Sequence, residues 1–319
     1  MTVLCGDDQP RGMAEVERLA EVRYVRADGL RDALAGADVL FVWDFFSPAV
    51  RAAWPAADKL QWVHVASAGV DAILFDDLRD SDVVLTNSRG VFDDAIAEYV
   101  LGLVIAFAKD FPRTLQLQRE RRWEWRETER VGGRKALVVG TGPIGAAIAR
   151  LLRAVGIEVR GAGRRAREDD PDFGIVHSSA ELPDHVGWAD FVIAVLPLTD
   201  ETRGMFDRRV FAAMKPTARF INVGRGEHVV TEDLIAALRA GELAGAALDV
   251  FDQEPLPSES PLWTMENVVV SPHMSGDTVG WKDTLARVFV ANFRRWIAGE
   301  PLHNVVDKKR GYVPTGGSR

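Results

Sequence analysis

The chain is 319 residues long, with 47% hydrophobic and 27% charged residues. That length is more than one hydrophobic core usually serves, so two domains are expected, and the balance excludes wholesale disorder. Lys and Arg number 39 against 47 Asp and Glu, and the net charge of −8 argues against a nucleic-acid or anionic-membrane binder. The residues Arg119, Arg121, Arg122, Arg126, Arg130 and Arg134 nevertheless cluster, and they read as a solvated helix face. Cys5 is the single cysteine, which excludes an internal disulfide and a cysteine-based metal cluster. The start of the chain lacks the pattern of a signal peptide, and the longest apolar stretch, Tyr99 to Ala108, is too short to span a bilayer. A cytoplasmic protein that holds no metal and contacts no membrane is the expectation.

Taken in chain order, Val39–Trp43, Leu60–Val65 and Val83–Thr86 read as buried strands, the third closed by Asn87-Ser88-Arg89-Gly90. Strands separated by helical patterns imply parallel pairing and an α/β sheet. One long helix is expected from Asp93 to about Arg122, with Tyr99, Leu103, Phe107 and Phe111 apolar, and it suits a connection between domains. A second run of strands follows at Ala136–Val139, Glu158–Arg160, Phe191–Val195, Arg219–Val223, Ala246–Val250 and Val268–Val270. Six strands with intervening helices is the count of a dinucleotide-binding sheet. The final helix, Asp283 to Ala298, comes after all of them and is expected to return to the first domain. The fold class is therefore α/β, with two doubly wound parallel-sheet domains. A substrate domain of 1–97 plus 278–319 would be interrupted by a dinucleotide-binding domain of 98–277. No repeat is present, and the tail from Gly311 to Arg319 is expected to fray.

Gly140-Thr141-Gly142-Pro143-Ile144-Gly145 fits G-x-G-x-x-G. It directly follows a strand and opens a helix with Ile144, Ile148, Leu151, Leu152 and Val155 on one face, the context that makes the pattern informative. Gly140 makes the tight turn, Gly142 admits the pyrophosphate, and Gly145 lets helix and strand pack closely. The N–H groups at the helix start, around Pro143 and Ile144, then meet the phosphates. An NAD-specific site usually ends the next strand with Asp or Glu. The corresponding position, 18 residues beyond Gly145, is Gly163, and Arg164 and Arg165 follow it. Guanidinium groups suit a 2′-phosphate, so NADP(H) is favoured. NAD(H) stays possible, with the two arginines as solvated loop residues.

Three polar residues stand in loops just after strands. Arg225 follows Ile221-Asn222-Val223-Gly224, Glu254 follows Leu248-Asp249-Val250-Phe251, and His273 follows Val270-Ser271-Pro272. The carboxyl ends of strands in an open parallel sheet face the ligand crevice, so the three can converge. Asn222-Val223-Gly224-Arg225-Gly226, Leu248 to Pro255, and Ser271-Pro272-His273 resemble the signature blocks of the D-isomer-specific 2-hydroxyacid dehydrogenases. Leu196-Pro197-Leu198-Thr199 and Ala97-Glu98-Tyr99 resemble two further landmarks of that family. Leu256-Pro257, Glu259 to Trp263 and the Arg164-Arg165 pair look most like its glyoxylate/hydroxypyruvate reductase branch.

The resemblance implies a Rossmann-type cofactor domain inserted into a flavodoxin-like substrate domain, and a 2-oxoacid as small-molecule substrate. It implies that Arg225 holds the substrate carboxylate and polarises the keto oxygen. Protonated His273 would deliver a proton to that oxygen, and Glu254 would orient the imidazole and stabilise its charged form. Reduction should then fade as rising pH deprotonates the imidazole. Further cofactor contacts are implied at Pro197, Thr202, Val223, Asp249 and Ser275, with Asp249 meeting the nicotinamide amide. The loop Ala66 to Asp71 resembles the family's carboxylate clamp, whose donors would be the N–H groups of Ala68 and Gly69. Trp43, with Phe45 and Phe46, either lines the substrate pocket or packs the core. A homodimer, usual in the family, would use the region of Trp123 and Trp125. The alternative from another class is a dinucleotide-sensing co-regulator without turnover. Formate dehydrogenases place Gln where Glu254 stands and are disfavoured, and phosphite oxidation ranks low. His64, His177, His185, His228 and His303 carry no assigned chemistry.

Overall fold

Short runs of Val, Leu and aromatic residues pair only where both faces of the sheet can be covered, and the chain supplies helices after nearly every one. The computed structural model describes residues 1–314 and divides into two compact units. One unit is Met1–Val91 with the chain from Thr278 onward, and the other is Phe92–Asp277. The first boundary therefore falls before Phe92, not after Ala97, because Asp93–Ala108 is a single helix that a boundary at 97/98 would cut. Residues 315–319 of the tail expected to fray lie outside the described residues.

The first unit holds β1 (Thr2–Leu4), β2 (Arg23–Val25), β3 (Val39–Val42), β4 (Trp62–Val65) and β5 (Val84–Asn87). They form one parallel sheet in the order β2-β1-β3-β4-β5, the doubly wound order of flavodoxin-like folds. β1 and β2 escaped the sequence reading because each is three residues long, below the length at which periodicity speaks. Alternation along β4 sends Val63 and Val65 to a core with Leu4, Leu40 and Leu85. Trp62 and His64 go to the other face, where Phe289 of the helix Trp281–Ala298 stacks on Phe41 at 4.1 Å and on Trp62 at 5.4 Å.

The second unit holds β6 (Lys135–Val139), β7 (Glu158–Gly163), β8 (Arg167–Asp170), β9 (Gly174–Ser178), β10 (Phe191–Ala194), β11 (Arg219–Asn222), β12 (Gly245–Leu248) and β13 (Val268–Val270). The order is β13-β12-β11-β10-β6-β7-β9-β8. Every pair is parallel except β8 with β9. The expected count of six thus becomes eight. β8 was missed because Arg167-Glu168-Asp169-Asp170 has no apolar residue; it is an edge hairpin on β9, with Arg167 ion-paired to Asp170 at 2.7 Å. The chain winds from β6 to β7 and β9, then crosses back to β10 on the other side of β6. That reversal between β6 and β10 is where such sheets bind ligands.

The long helix expected from Asp93 to Arg122 is two helices, Asp93–Ala108 and Phe111–Glu120. Pro112 cannot donate to the carbonyl of Ala108, and Asp110 adopts a left-handed φ of 52° at the break. Arg126 closes the corner by donating to the Asp110 carboxylate at 2.5 Å and to its carbonyl at 2.8 Å. The arginine cluster is consequently not one helix face. Arg121 ends the second helix with φ of 55°, and 122–130 run without regular structure. Arg122 pairs with Glu120 and Glu124, and Arg134 with Glu129. Among the described residues no helix is long and apolar enough to cross a membrane, and no His, Cys, Asp and Glu cluster could hold a metal ion.

Candidate active site

The glycine turn joins β6 to the helix Pro143–Ala154, and its three glycines have three different surroundings. Gly140 has φ of +117°, and a Cβ there would stand 2.6 Å from the carbonyl oxygen of Val195, at the end of β10. A Cβ on Gly145 would sit 1.9 Å from the Gly140 carbonyl oxygen, so only hydrogen lets the helix start this close to the turn. Around Gly142 nothing lies within 4 Å of a Cβ position, and no side chain caps the helix. Two glycines close the turn and the third opens it, which is the cradle a pyrophosphate requires at a helix N-terminus. Pro197 and Thr202 lie beyond β10 in a turn that Thr202 ties. Its hydroxyl donates to the Pro197 carbonyl at 2.8 Å and accepts the Thr199 N–H at 2.8 Å. Arg164 and Arg165 follow β7 and are exposed.

The loops after β11, β12 and β13 come together side by side, because those strands are neighbours. Asn222 accepts the Gly224 N–H at 3.0 Å and donates to the Arg225 carbonyl at 2.9 Å, which fixes the turn carrying Arg225 beyond buried Val223. A Cβ on Gly226 would lie 1.8 Å from the carbonyl carbon of Phe251, so this turn rests directly on the loop after β12. In that loop Glu254 accepts the Phe251 N–H at 2.9 Å with Oε1, and its Oε2 stands 2.8 Å from His273 Nδ1. Burial pushes the Glu254 carboxyl up. The His273 hydrogen bond, the Phe251 N–H and the charges of His273 and Arg225 outweigh it and hold the group below its usual range. Arg225, Glu254 and His273 thus form one electrostatic group, with the His273 and Glu254 side chains about a third exposed.

Asp249 organises what lies under His273. It is buried, with Oδ1 accepting from the Ser271 hydroxyl at 2.7 Å and the Met274 N–H at 2.9 Å, and Oδ2 from the Ser275 N–H at 2.9 Å. Its carbonyl accepts the His273 N–H at 2.7 Å, and His273 is held at a left-handed φ of 52°. Tyr99 extends the network by donating to Ser271 at 2.6 Å. Sequence reading gave Asp249 and Ser275 to the cofactor and missed this supporting role. Spacing shows only that Asp249 ends a strand, and Tyr99 stood out only as an apolar helix position and as part of a family landmark.

In the first unit the loop Ala66 to Asp71 follows β4. Ser67 donates to the Gly69 carbonyl at 2.6 Å and Asn87 to the Ala68 carbonyl at 2.5 Å, so both carbonyls are turned inward. Among the described residues nothing accepts from the N–H groups of Ala68 and Gly69, an arrangement suited to an anion. Trp43 is 5% exposed and edge-on to Phe41, a packing environment, while Phe46 beside it is 64% exposed.

A doubly wound sheet with this glycine cradle at its switch point is the architecture of dinucleotide-binding proteins. The family described as "D-isomer specific 2-hydroxyacid dehydrogenase, NAD binding domain" matches residues 101–275, and the chain belongs to it. A glyoxylate/hydroxypyruvate reductase A of Klebsiella pneumoniae is 35% identical over 265 residues, 79% of this chain and 82% of its own. A solved D-isomer specific 2-hydroxyacid dehydrogenase from Xanthobacter autotrophicus, in complex with NADPH and MES, is 35% identical with a TM-score of 0.83 and 98% of each chain covered. The NADPH-dependent glyoxylate/hydroxypyruvate reductase of Sinorhizobium meliloti, solved with NADP and sulfate, is 28% identical with a TM-score of 0.83, covering 98% of this chain and 99% of its own. The protein is an NAD(P)-dependent 2-hydroxyacid dehydrogenase.

Proposed function

We propose that the protein uses NADPH to reduce a small 2-oxoacid, glyoxylate or hydroxypyruvate, to the corresponding D-2-hydroxyacid or glycolate. The observation that carries the reading is the 2.8 Å contact between Glu254 and His273 Nδ1, with the Arg225 charge acting on the same carboxylate. The names of the Klebsiella and Sinorhizobium relatives support the substrate class and the phosphorylated cofactor.

The glycine turn, Pro143, Ile144 and the helix N-terminus would hold the pyrophosphate of the dinucleotide, with Pro197, Thr202, Val223 and Ser275 along its path and Arg164 and Arg165 at a 2′-phosphate. When bound, the reduced nicotinamide of that dinucleotide would supply the hydride. Arg225 binds the substrate carboxylate and polarises the keto oxygen, since a fixed guanidinium can do both. Glu254 accepts from Nδ1, which fixes the ring, so the proton delivered to the oxygen leaves from Nε2. Asp249 keeps the His273 loop in place, and its position beside that loop also suits a nicotinamide amide. The Ala68 and Gly69 N–H groups are proposed as donors to an anion, and the first unit as the substrate domain. A cytoplasmic location and a homodimer belong to the same reading.

Oxidation of NADPH by the purified protein against glyoxylate, hydroxypyruvate, pyruvate and bulkier 2-oxoacids tests it. Turnover is expected with the first two and should weaken with bulk. Saturable dinucleotide binding with no turnover of any 2-oxoacid would show a sensor instead.

A further inference from the structure

Gly161 and Gly163 lie on one face of β7, two residues apart, and together leave a trough without side chains. Thr141, the second residue of the glycine turn, fills that trough. A Cβ on Gly161 would stand 2.8 Å from the Thr141 methyl carbon and 3.0 Å from the ring of buried Phe173. A Cβ on Gly163 would stand 2.7 Å from the Thr141 hydroxyl oxygen and 3.6 Å from its Cβ. The two branches of one side chain thus cover the two glycines. Rotation of a β-branched residue moves one branch only by moving the other, so the fit is stiff.

Gly163 is also the position at which an NAD-type site carries its ribose-binding carboxylate. Any carboxylate there begins with a Cβ, and that Cβ has no room while Thr141 is in place. We infer that Thr141 is a cofactor-specificity residue: by occupying the Gly161–Gly163 trough it excludes a carboxylate from the end of β7 and so commits the site to a 2′-phosphorylated dinucleotide. Arg164 and Arg165 follow directly and meet no negative charge at residue 163. The phosphate preference then has two parts, attraction by the arginines and the enforced absence of a competing acid. This inference rests on the NADPH reading above and adds Thr141 to it.

The test measures dissociation constants of NADPH and NADH by quenching of tryptophan fluorescence, with no substrate present. It uses the wild type, Gly163→Asp, Thr141→Gly and the double variant. Gly163→Asp should weaken both cofactors, because its carboxylate is misplaced. The double variant should bind NADH about tenfold or more tighter than Gly163→Asp does, the scale of coupling between touching side chains, and should not regain NADPH. A single Gly163→Asp that already binds NADH as tightly as the double variant would overturn the lock. Should an aspartate variant fail to fold, Gly163→Ala supplies the same cycle through Tm. It should be destabilised in the wild-type background and largely relieved by Thr141→Gly, and equal losses in both backgrounds would overturn the contact. Tighter binding of NADH than NADPH by the unaltered chain would sink the NADPH reading itself, a result separate from either cycle.

Discussion

His273 and Glu254 make one hydrogen-bonded pair, and their contributions separate by substitution. Removing the proposed proton donor in His273→Ala should lower kcat for 2-oxoacid reduction by roughly 10²–10⁴-fold, the usual weight of general acid catalysis. A variant that keeps wild-type kcat would show that the proton comes from elsewhere. Arg225→Lys keeps the charge but loses the planar fork, so its main effect should be a raised KM for the oxoacid, by about tenfold or more. Unchanged KM would remove Arg225 from the substrate. His64 has no part in this chemistry and its titration concerns stability. Buried beside Thr86 and Ser88, its imidazole is pushed down from 6.5 to about 3 by desolvation. Between those values the unfolded chain binds a proton that the folded chain refuses. Stability therefore rises with pH across the window and falls as pH drops, by up to about 1.4 kcal/mol per unit. Urea midpoints of the wild type should decline from pH 7 to pH 5, and His64→Gln, starting from a lower stability, should decline less steeply. Parallel slopes would assign the acid sensitivity to other groups.

At the scale of elements, the site depends on loops that lie against one another without intervening side chains. Gly226 is the tightest such contact, 1.8 Å from a Cβ to the Phe251 carbonyl carbon. Gly226→Ala must separate the Arg225 turn from the Glu254 loop. A loss of about 1–3 kcal/mol in stability is expected, together with a fall in kcat/KM that exceeds what the lower stability explains. Full activity at the wild-type Tm would mean that the two loops can part without consequence. The elements themselves were legible to different degrees. β3, β4, β6 and β10 to β13 show as apolar runs because both faces of a parallel sheet are buried. β8 did not, since an edge hairpin held by Arg167 and Asp170 needs no apolar face. The break at Asp110 was hidden because apolar residues continue through Phe111 and only Pro112 marks the corner.

For the molecule as a whole, the region after the second helix exposes Trp123 at 101% and Trp125 at 81% within a segment that has no regular structure. Two large apolar side chains left in water so close together suit a surface for a partner. With a second copy as the proposed partner, sedimentation should give twice the chain mass, and Trp123→Ser with Trp125→Ser should shift it toward the monomer. A monomeric wild type at micromolar concentration would remove that proposal.

The glycine turn, the longer apolar strands and the positions of Arg225, Glu254 and His273 after strand ends were determined by sequence alone. Each depends on local stereochemistry or on chain order. A turn that tolerates only glycine and a strand that tolerates only burial leave their marks in consecutive residues. The 2.8 Å approach of Glu254 to His273, the Asp249 network beneath the histidine and the seat of Thr141 between two glycines were decided only by the tertiary structure. Those contacts join residues about 20 positions apart, brought together by stacking one strand beside another. No periodicity or spacing encodes which side chains will then meet, because that is a property of packed surfaces rather than of the chain.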